Sequence, residues 1–198
     1  MAPAKINNMP TIGIIDDRKD LRDTLERKIF LSLKKQNLLW AVLGISPFSE
    51  MKDYISWIRE NDIGILILDE RLQEVNETAG SVSYKGSDLI EFIRSTLQDF
   101  PVFAITGYEN DEDLQNRFPL FDEILSRDKF FAKADDYTLR FTRAGQRFID
   151  IYNDHLKRIS IISSSIALGE AKKEDIEELN KIQEYLNIPF TSYSYVDR

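Results

Sequence analysis

The run Ile63-Gly64-Ile65-Leu66-Ile67-Leu68 is short, branched and apolar, and it ends in Asp69. Nothing in it alternates between apolar and polar, so it reads as a strand buried on both faces. Such strands sit inside parallel sheets. A parallel sheet needs a long crossover between neighbouring strands, usually a helix, so the rest of the chain has to alternate the two element types. The same strand says where chemistry belongs. Open α/β sheets bind ligands just outside the carboxyl ends of their strands, and Asp69 stands at that end.

The flanking sequence has the required alternation. Met1 to Pro10 reads as a leader, and Thr11 to Ile15 as a first strand that ends in Asp16-Asp17. Leu21, Leu25, Ile29 and Leu33, with Phe30 beside them, mark one face of a helix from Arg18 to Gln36. Leu39 to Ile45 is a second strand. Ser49 is placed to cap a helix carrying Met51, Tyr54, Ile55 and Ile58. After Asp69 the connection from Glu70 to Gly86, with Asn76, Gly80, Ser81 and Ser83, is longer than the roughly 2–6 residues usual between a strand and a helix. Ser87 then caps a helix striped by Leu89, Ile93 and Leu97. Pro101 opens a fourth strand, Val102 to Ile105, followed by Thr106-Gly107 and a short polar helix over Glu109 to Phe118. Phe130-Phe131-Ala132 reads as a fifth strand ending at Lys133. A long helix is expected from Thr138 to Ile159 with Phe141, Ala144, Phe148, Ile151, Tyr152 and Ile159 on its apolar face. Ser163-Ser164-Ser165 and Gly169 suggest a break, after which Lys173 to Leu186 forms a charged amphipathic helix with Ile176, Leu179, Ile182 and Leu186. The expected organisation is a leader over 1–10, an α/β domain over 11–159 and a helical extension over 160–198.

Composition narrows the function. The 198 residues contain no cysteine and one histidine, which excludes disulfides, thiolate sites and clusters of histidine ligands. With 26 basic against 34 acidic residues the formal net charge is −8, which disfavours nonspecific nucleic-acid binding. No apolar run approaches the roughly 18 residues that span a bilayer, and the leader lacks the plan of a signal peptide. A cytoplasmic protein with neither membrane nor nucleic-acid partners is expected.

Chemistry gathers at one edge. The strand ends offer Asp16 and Asp17, Asp69, Thr106 and Lys133. Two carboxylates about 4 Å apart, at an effective dielectric near 20, repel by on the order of 4 kcal/mol, so the group calls for a cation. Carboxylate oxygens without histidine or cysteine select Mg²⁺, which typically uses one or two carboxylates and a phosphate oxygen. Lys133 supplies a positive charge suited to a phosphoryl group and Thr106 a hydroxyl donor, leaving Asp69 as a nucleophile able to carry a phosphoryl group. Singly, these residues have ordinary readings: Asp16-Asp17 as a helix cap, Lys133 as a solvated side chain, Phe130-Phe131 as core, His155 as a packed or surface histidine.

In this arrangement the chain resembles the receiver domain of two-component response regulators. The resemblance covers Thr11 to Ile159. It rests on Ile12-Gly13-Ile14-Ile15-Asp16-Asp17, Leu66-Ile67-Leu68-Asp69-Glu70-Arg71-Leu72, Gly86 before Leu89 to Arg94, Pro101-Val102-Phe103-Ala104-Ile105-Thr106-Gly107, and Phe130-Phe131-Ala132-Lys133. It implies a flavodoxin-like, doubly wound, five-stranded parallel sheet with a C-terminal helical extension. It also implies Asp69 as phosphoacceptor, and Mg²⁺ held by Asp17, by Asp16 through water, by Asp69 and by the backbone carbonyl of Arg71. Thr106 and Lys133 would bind the phosphoryl group, and Phe130 would be the switch aromatic. The implied partners are a histidine kinase or phosphotransfer protein and an output protein. Two departures from the family pattern are Ala134, where a proline usually follows the lysine, and the long loop Gln73 to Gly86.

The expected function is therefore a phosphorylation-dependent signalling domain acting through protein–protein contacts, not an enzyme with a separate substrate. The alternatives are a receiver-like interaction module that does not cycle phosphate, and a Mg²⁺ phosphatase of the haloacid dehalogenase kind. The latter needs a second aspartate where Arg71 stands. The apolar stripe of the last helix is open to its own domain, a second copy in a homodimer, or another protein.

Overall fold

The apolar runs become strands β1 (Thr11–Ile15), β2 (Ala41–Ile45), β3 (Ile63–Leu68), β4 (Val102–Thr106) and β5 (Glu123–Ser126). All pair in parallel in one sheet of order β2-β1-β3-β4-β5. The computed structural model describes residues 9–73 and 82–186. The three central strands are buried along their whole length, whereas β2 is half-buried throughout and β5 buries only Leu125. That is the pattern of a sheet covered on both faces with two thinner edges.

Side chains alternate between two cores, as the pleat requires. Ile12, Ile14, Ile65, Ile67, Phe103 and Ile105 face helix α1 (Lys19–Lys35) and the start of α6 (Ala134–Leu168). Ile15, Leu66, Leu68, Val102 and Ala104 face α2 (Asp53–Glu60) and α3 (Gly86–Thr96). Leu25, Ile29 and Leu33 of α1 are buried as the spacing predicts, but Phe30 is exposed, with the Lys34 ammonium 4.6 Å from its ring centre. Two short helices, α4 (Glu112–Asn116) and α5 (Arg127–Ala132), flank β5.

Four expectations shift. Ser49 does not begin α2, which starts at Asp53. The N-cap of α3 is Lys85, not Ser87; Lys85 N–H is held by Asp88 Oδ2 at 2.9 Å, and Ser87 is used elsewhere. Phe130-Phe131-Ala132 is not a strand but part of α5, whose start Ser126 caps by accepting from Lys129 N–H. The serines at 163–165 do not break the chain. Helix α6 runs 35 residues, about 52 Å, through them to Leu168. Ser164 Oγ bonds back to the Ser160 carbonyl at 2.9 Å, and Ile162 is anchored in an apolar contact. The helix stops only at Gly169, whose φ of 73° is left-handed backbone that favours glycine.

Helix α7 (Lys173–Tyr185) folds back antiparallel on the outer half of α6. Its stripe of Ile176, Leu179, Ile182 and the following Leu186 is buried, as is Ile162 of α6. Arg158 of α6 forks onto Glu178 with two 2.7 Å bonds. The stripe is thus satisfied inside the chain.

Candidate functional site

The sheet register decides which residues meet. Ile15 pairs with Leu68, so Asp16 and Asp69 leave adjacent strands on the same level, and Asp69 N–H donates to the Ile15 carbonyl at 3.0 Å. Thr106 pairs with Ser126, which puts Arg127 one step past the edge. Asp16, Asp17 and Asp69 are 0%, 1% and 3% exposed, and one carboxylate oxygen from each lies within 4.8 Å of the others. Thr106 is fully buried beside them. A cleft of about 260 Å³ at the opposite end of the sheet, between Pro101, Phe148 and Tyr185, is remote from these groups.

The cation that reaches the acidic group is Arg127. Its Nη2 lies 2.9 Å from Asp69 Oδ2 and 3.2 Å from Asp16 Oδ2. Lys133, expected in that role, is the exposed C-cap of α5, removed from the strand end by a whole short helix. Phe130, expected as the switch aromatic, is fully buried and stacks on Phe141 at 6.1 Å; it is core. At the same spacing ahead of Arg127 stands Ile124, which is aliphatic. Both errors come from one misplaced strand. β5 contributes only Ile124 and Leu125 as apolar residues, because an edge strand needs no more. The available signal was Ser126 with Asp128, a cap and an acidic first turn that together mark a helix start.

Burial sets the electrostatics. It pushes the Asp16 carboxyl up to about 7, with the Asp69 charge adding to the effect; the Arg18 N–H, at 2.9 Å from Asp16 Oδ1, and Arg127 pull it partly back. Burial also raises Asp69, against Arg127 and the Thr106 hydroxyl, which favour its ionised form. Arg22 of α1 fixes the turn by donating to the Asp16 carbonyl at 2.6 Å. Glu70, 1% exposed, accepts from Ser87 N–H at 2.9 Å and Ser87 Oγ–H at 2.8 Å, which holds the start of α3 to the end of β3. The approach is so close that a Cβ on Gly86 would lie 2.3 Å from the Asp69 carbonyl oxygen.

The donor set fits a hard divalent cation. Three carboxylate side chains gather here, and among the described residues Asp69 Oδ1 is buried without a hydrogen-bond donor. Arg71 follows Asp69 by two positions, at the start of the long connection. Residues 74–81 of that connection, including Asn76, Gly80 and Ser81, lie outside the described residues, as do residues 1–8 and 187–198. Among the described residues, no helix is long and apolar enough to cross a membrane.

No protein-family model matches the chain, and no curated protein matches it in sequence. Its structure is similar to solved receiver domains. A response regulator receiver domain protein from Clostridium thermocellum superposes with a TM-score of 0.50 at 17% identity, over 70% of this chain and 96% of that one. The signal receiver domain of an HD domain-containing protein from Pseudomonas fluorescens gives 0.51 at 12% identity, over 76% and 96%. A DNA-binding response regulator of the LuxR family from Staphylococcus aureus gives 0.50 at 14% identity, over 69% and 99%. The chain therefore has a receiver-like, flavodoxin-like fold, divergent in sequence, and its α6 and α7 form a helical hairpin after the sheet.

Proposed function

We propose that this chain is a receiver-type signalling domain that accepts a phosphoryl group on Asp69 from a histidine kinase or phosphotransfer partner. The observation that carries the reading is the convergence of Asp16, Asp17, Asp69, Thr106 and Arg127, from four strand ends, in one buried place. Asp16, Asp17 and Asp69, with the Arg71 backbone carbonyl, would hold Mg²⁺. When bound, the ion neutralises charge and orients a phosphoryl oxygen. Of the two Asp69 carboxylate oxygens, one would meet the ion and the other is the nucleophile. It attacks phosphorus as the bond to the donor's histidine nitrogen breaks, and the electron pair stays with that nitrogen. Arg127 favours the ionised form of Asp69 beforehand and would pair with the phosphoryl oxygens afterwards, where its planar fork can make two parallel bonds. Thr106 donates its hydroxyl to the same group. A protein–protein output and a cytoplasmic location go with this reading.

The test is intact-mass measurement after incubation with Mg²⁺ and acetyl phosphate or phosphoramidate. One acid-labile adduct is expected in the wild type and none in Asp69→Asn. One observation favours a second reading, an interaction module that does not cycle phosphate: Arg127 already spans Asp16 and Asp69, with no aromatic at the place of Ile124. Metal binding without an adduct from any donor would favour it.

A further inference from the structure

The excursion between β3 and α3 is fastened at its base. Gly86 N–H donates to the Glu70 carbonyl at 3.0 Å, and the Glu70 carboxylate holds Ser87. Leu72, Val82 and Tyr84 are buried in the core. The Tyr84 hydroxyl meets that of Tyr54 at 2.8 Å and also donates to the Phe48 carbonyl. These contacts tie the two stems, residues 71–73 and 82–85, to the body of the domain.

On the other side both stems reach the segment that follows Thr106. The Arg71 guanidinium lies over the Tyr108 ring, 4.3 Å from its centre, and 3.8 Å from Asp111 Oδ2. Lys85, from the opposite stem, is 3.8 Å from Asp111 Oδ1 and 2.6 Å from Asp113. Asp111 also caps α4, its Oδ1 accepting from Asp113 N–H at 3.0 Å. Tyr108 N–H donates to Thr106 Oγ1 at 3.1 Å. A threonine hydroxyl has one proton to give, and here it faces Asp69. If Oγ1 swings about χ1 to bring that proton to a phosphoryl oxygen, the bond from Tyr108 N–H has to follow or break. The Tyr108 ring then moves under Arg71.

We infer that Tyr108 and Asp111 couple the occupancy of the carboxylate pocket to the stems of the excursion, with Arg71 and Lys85 as the positioning residues on the excursion side. The inference rests on the phosphoacceptor reading above. Each surface pair alone contributes little, but one residue from each stem, Arg71 and Lys85, converges on Asp111, and Arg71 also lies on Tyr108. A change in Thr106 therefore reaches both ends of the excursion at once.

Hydrogen exchange by mass spectrometry on the full chain tests this, comparing EDTA with Mg²⁺ plus beryllofluoride, and calorimetry reports whether the probe binds. In the wild type the probe should change exchange at residues 71–73 and 82–85 by about fivefold, the size expected of a surface network at the upper end of its usual strength. Asp111→Asn keeps a good helix cap, so α4 should stay intact and the probe should still bind, but the response at the stems should fall by at least half. Tyr108→Phe, which keeps the ring under Arg71, should behave as the wild type. Bound probe with silent stems, or the same response in Asp111→Asn, overturns the coupling alone. Failure of the probe to bind overturns the phosphoacceptor reading and the coupling together.

Discussion

Asp16→Asn should make the metal-free protein more stable, although it removes a side chain from the centre of the site. Asp16 is fully buried, and its carboxyl is raised from an ordinary 3.8 to about 7. A group raised on folding favours the fold while it is protonated. That contribution is complete below the unfolded value and is lost as pH rises through the folded one. Above pH 7 the folded protein must keep this carboxylate ionised at a cost of about 4 kcal/mol, and at pH 5 the cost is under about 2 kcal/mol. Asparagine cannot ionise, and its oxygen can still accept from Arg18 N–H, so the variant escapes the cost. Urea unfolding in EDTA, followed by the fluorescence of the buried Trp40 and Trp57, reads the difference. The variant should be more stable by about 4 kcal/mol at pH 8, shrinking by more than half at pH 5. Mg²⁺ at a hundredfold excess over Kd should narrow the gap by up to about 2.7 kcal/mol, because the wild type gains that much and the variant less. A variant less stable than the wild type at pH 8 without metal, or a difference independent of pH, would refute the reasoning that burying the Asp16 carboxylate strains this fold.

Gly86→Ala sets a Cβ against the Asp69 carbonyl and should cost about 1–3 kcal/mol in urea unfolding while weakening Mn²⁺ binding. Glu70→Ala leaves the buried Ser87 N–H and hydroxyl without their acceptor, for a loss of about 1–3 kcal/mol by the same assay. Arg127→Gln removes the guanidinium that bridges Asp16 and Asp69. It should lower metal-free stability by about 3–5 kcal/mol and tighten Mn²⁺ binding in calorimetry. Truncation after Leu168 should leave a sheet domain with unchanged near-UV circular dichroism, because neither core cluster contains a residue of α7. It uncovers Ile162 beside the exposed Ile161 and Leu168, so light scattering should show self-association.

The sheet was legible because its inner strands are uniform apolar runs, and buried parallel strands can be little else. The acidic corner was legible too: Asp16, Asp17, Asp69 and Thr106 directly follow or end three such strands, so finding the strands located the residues. Arg127 was hidden because its strand is an edge. Glu123 and Ser126 are half-exposed, and the stronger apolar run, Phe130-Phe131-Ala132, drew the strand downstream. The length of α6 was hidden for a different reason. Helix propensity disfavours three consecutive serines, but Ile162 packed under α7 outweighs it. Glu70 looked like one more charge in an acidic loop, and no sequence pattern announces that Ser87 returns to it.

The continuity of α6 constrains how the C-terminal hairpin can move. Its first turns are fixed to α1, where Asp135 holds Ser32 Oγ at 2.8 Å and Lys35 Nζ at 2.5 Å, and its middle lies on the sheet, with Gly145 against Ile65 and Trp40. The outer half carries α7 through Ile162 and the Arg158 fork. No hinge residue lies between these parts, since the first left-handed residue after Ala134 is Gly169. Swinging the hairpin away from the sheet would require breaking helix in mid-run, whereas peeling α7 from α6 would expose its four buried aliphatic side chains at about 1.5–3 kcal/mol each. The hairpin is therefore a rigid outgrowth of the domain. A partner that reads it must do so on its outer surface, and any change of state in the carboxylate pocket has to reach it through the sheet or through the base of α6, not by release of α7.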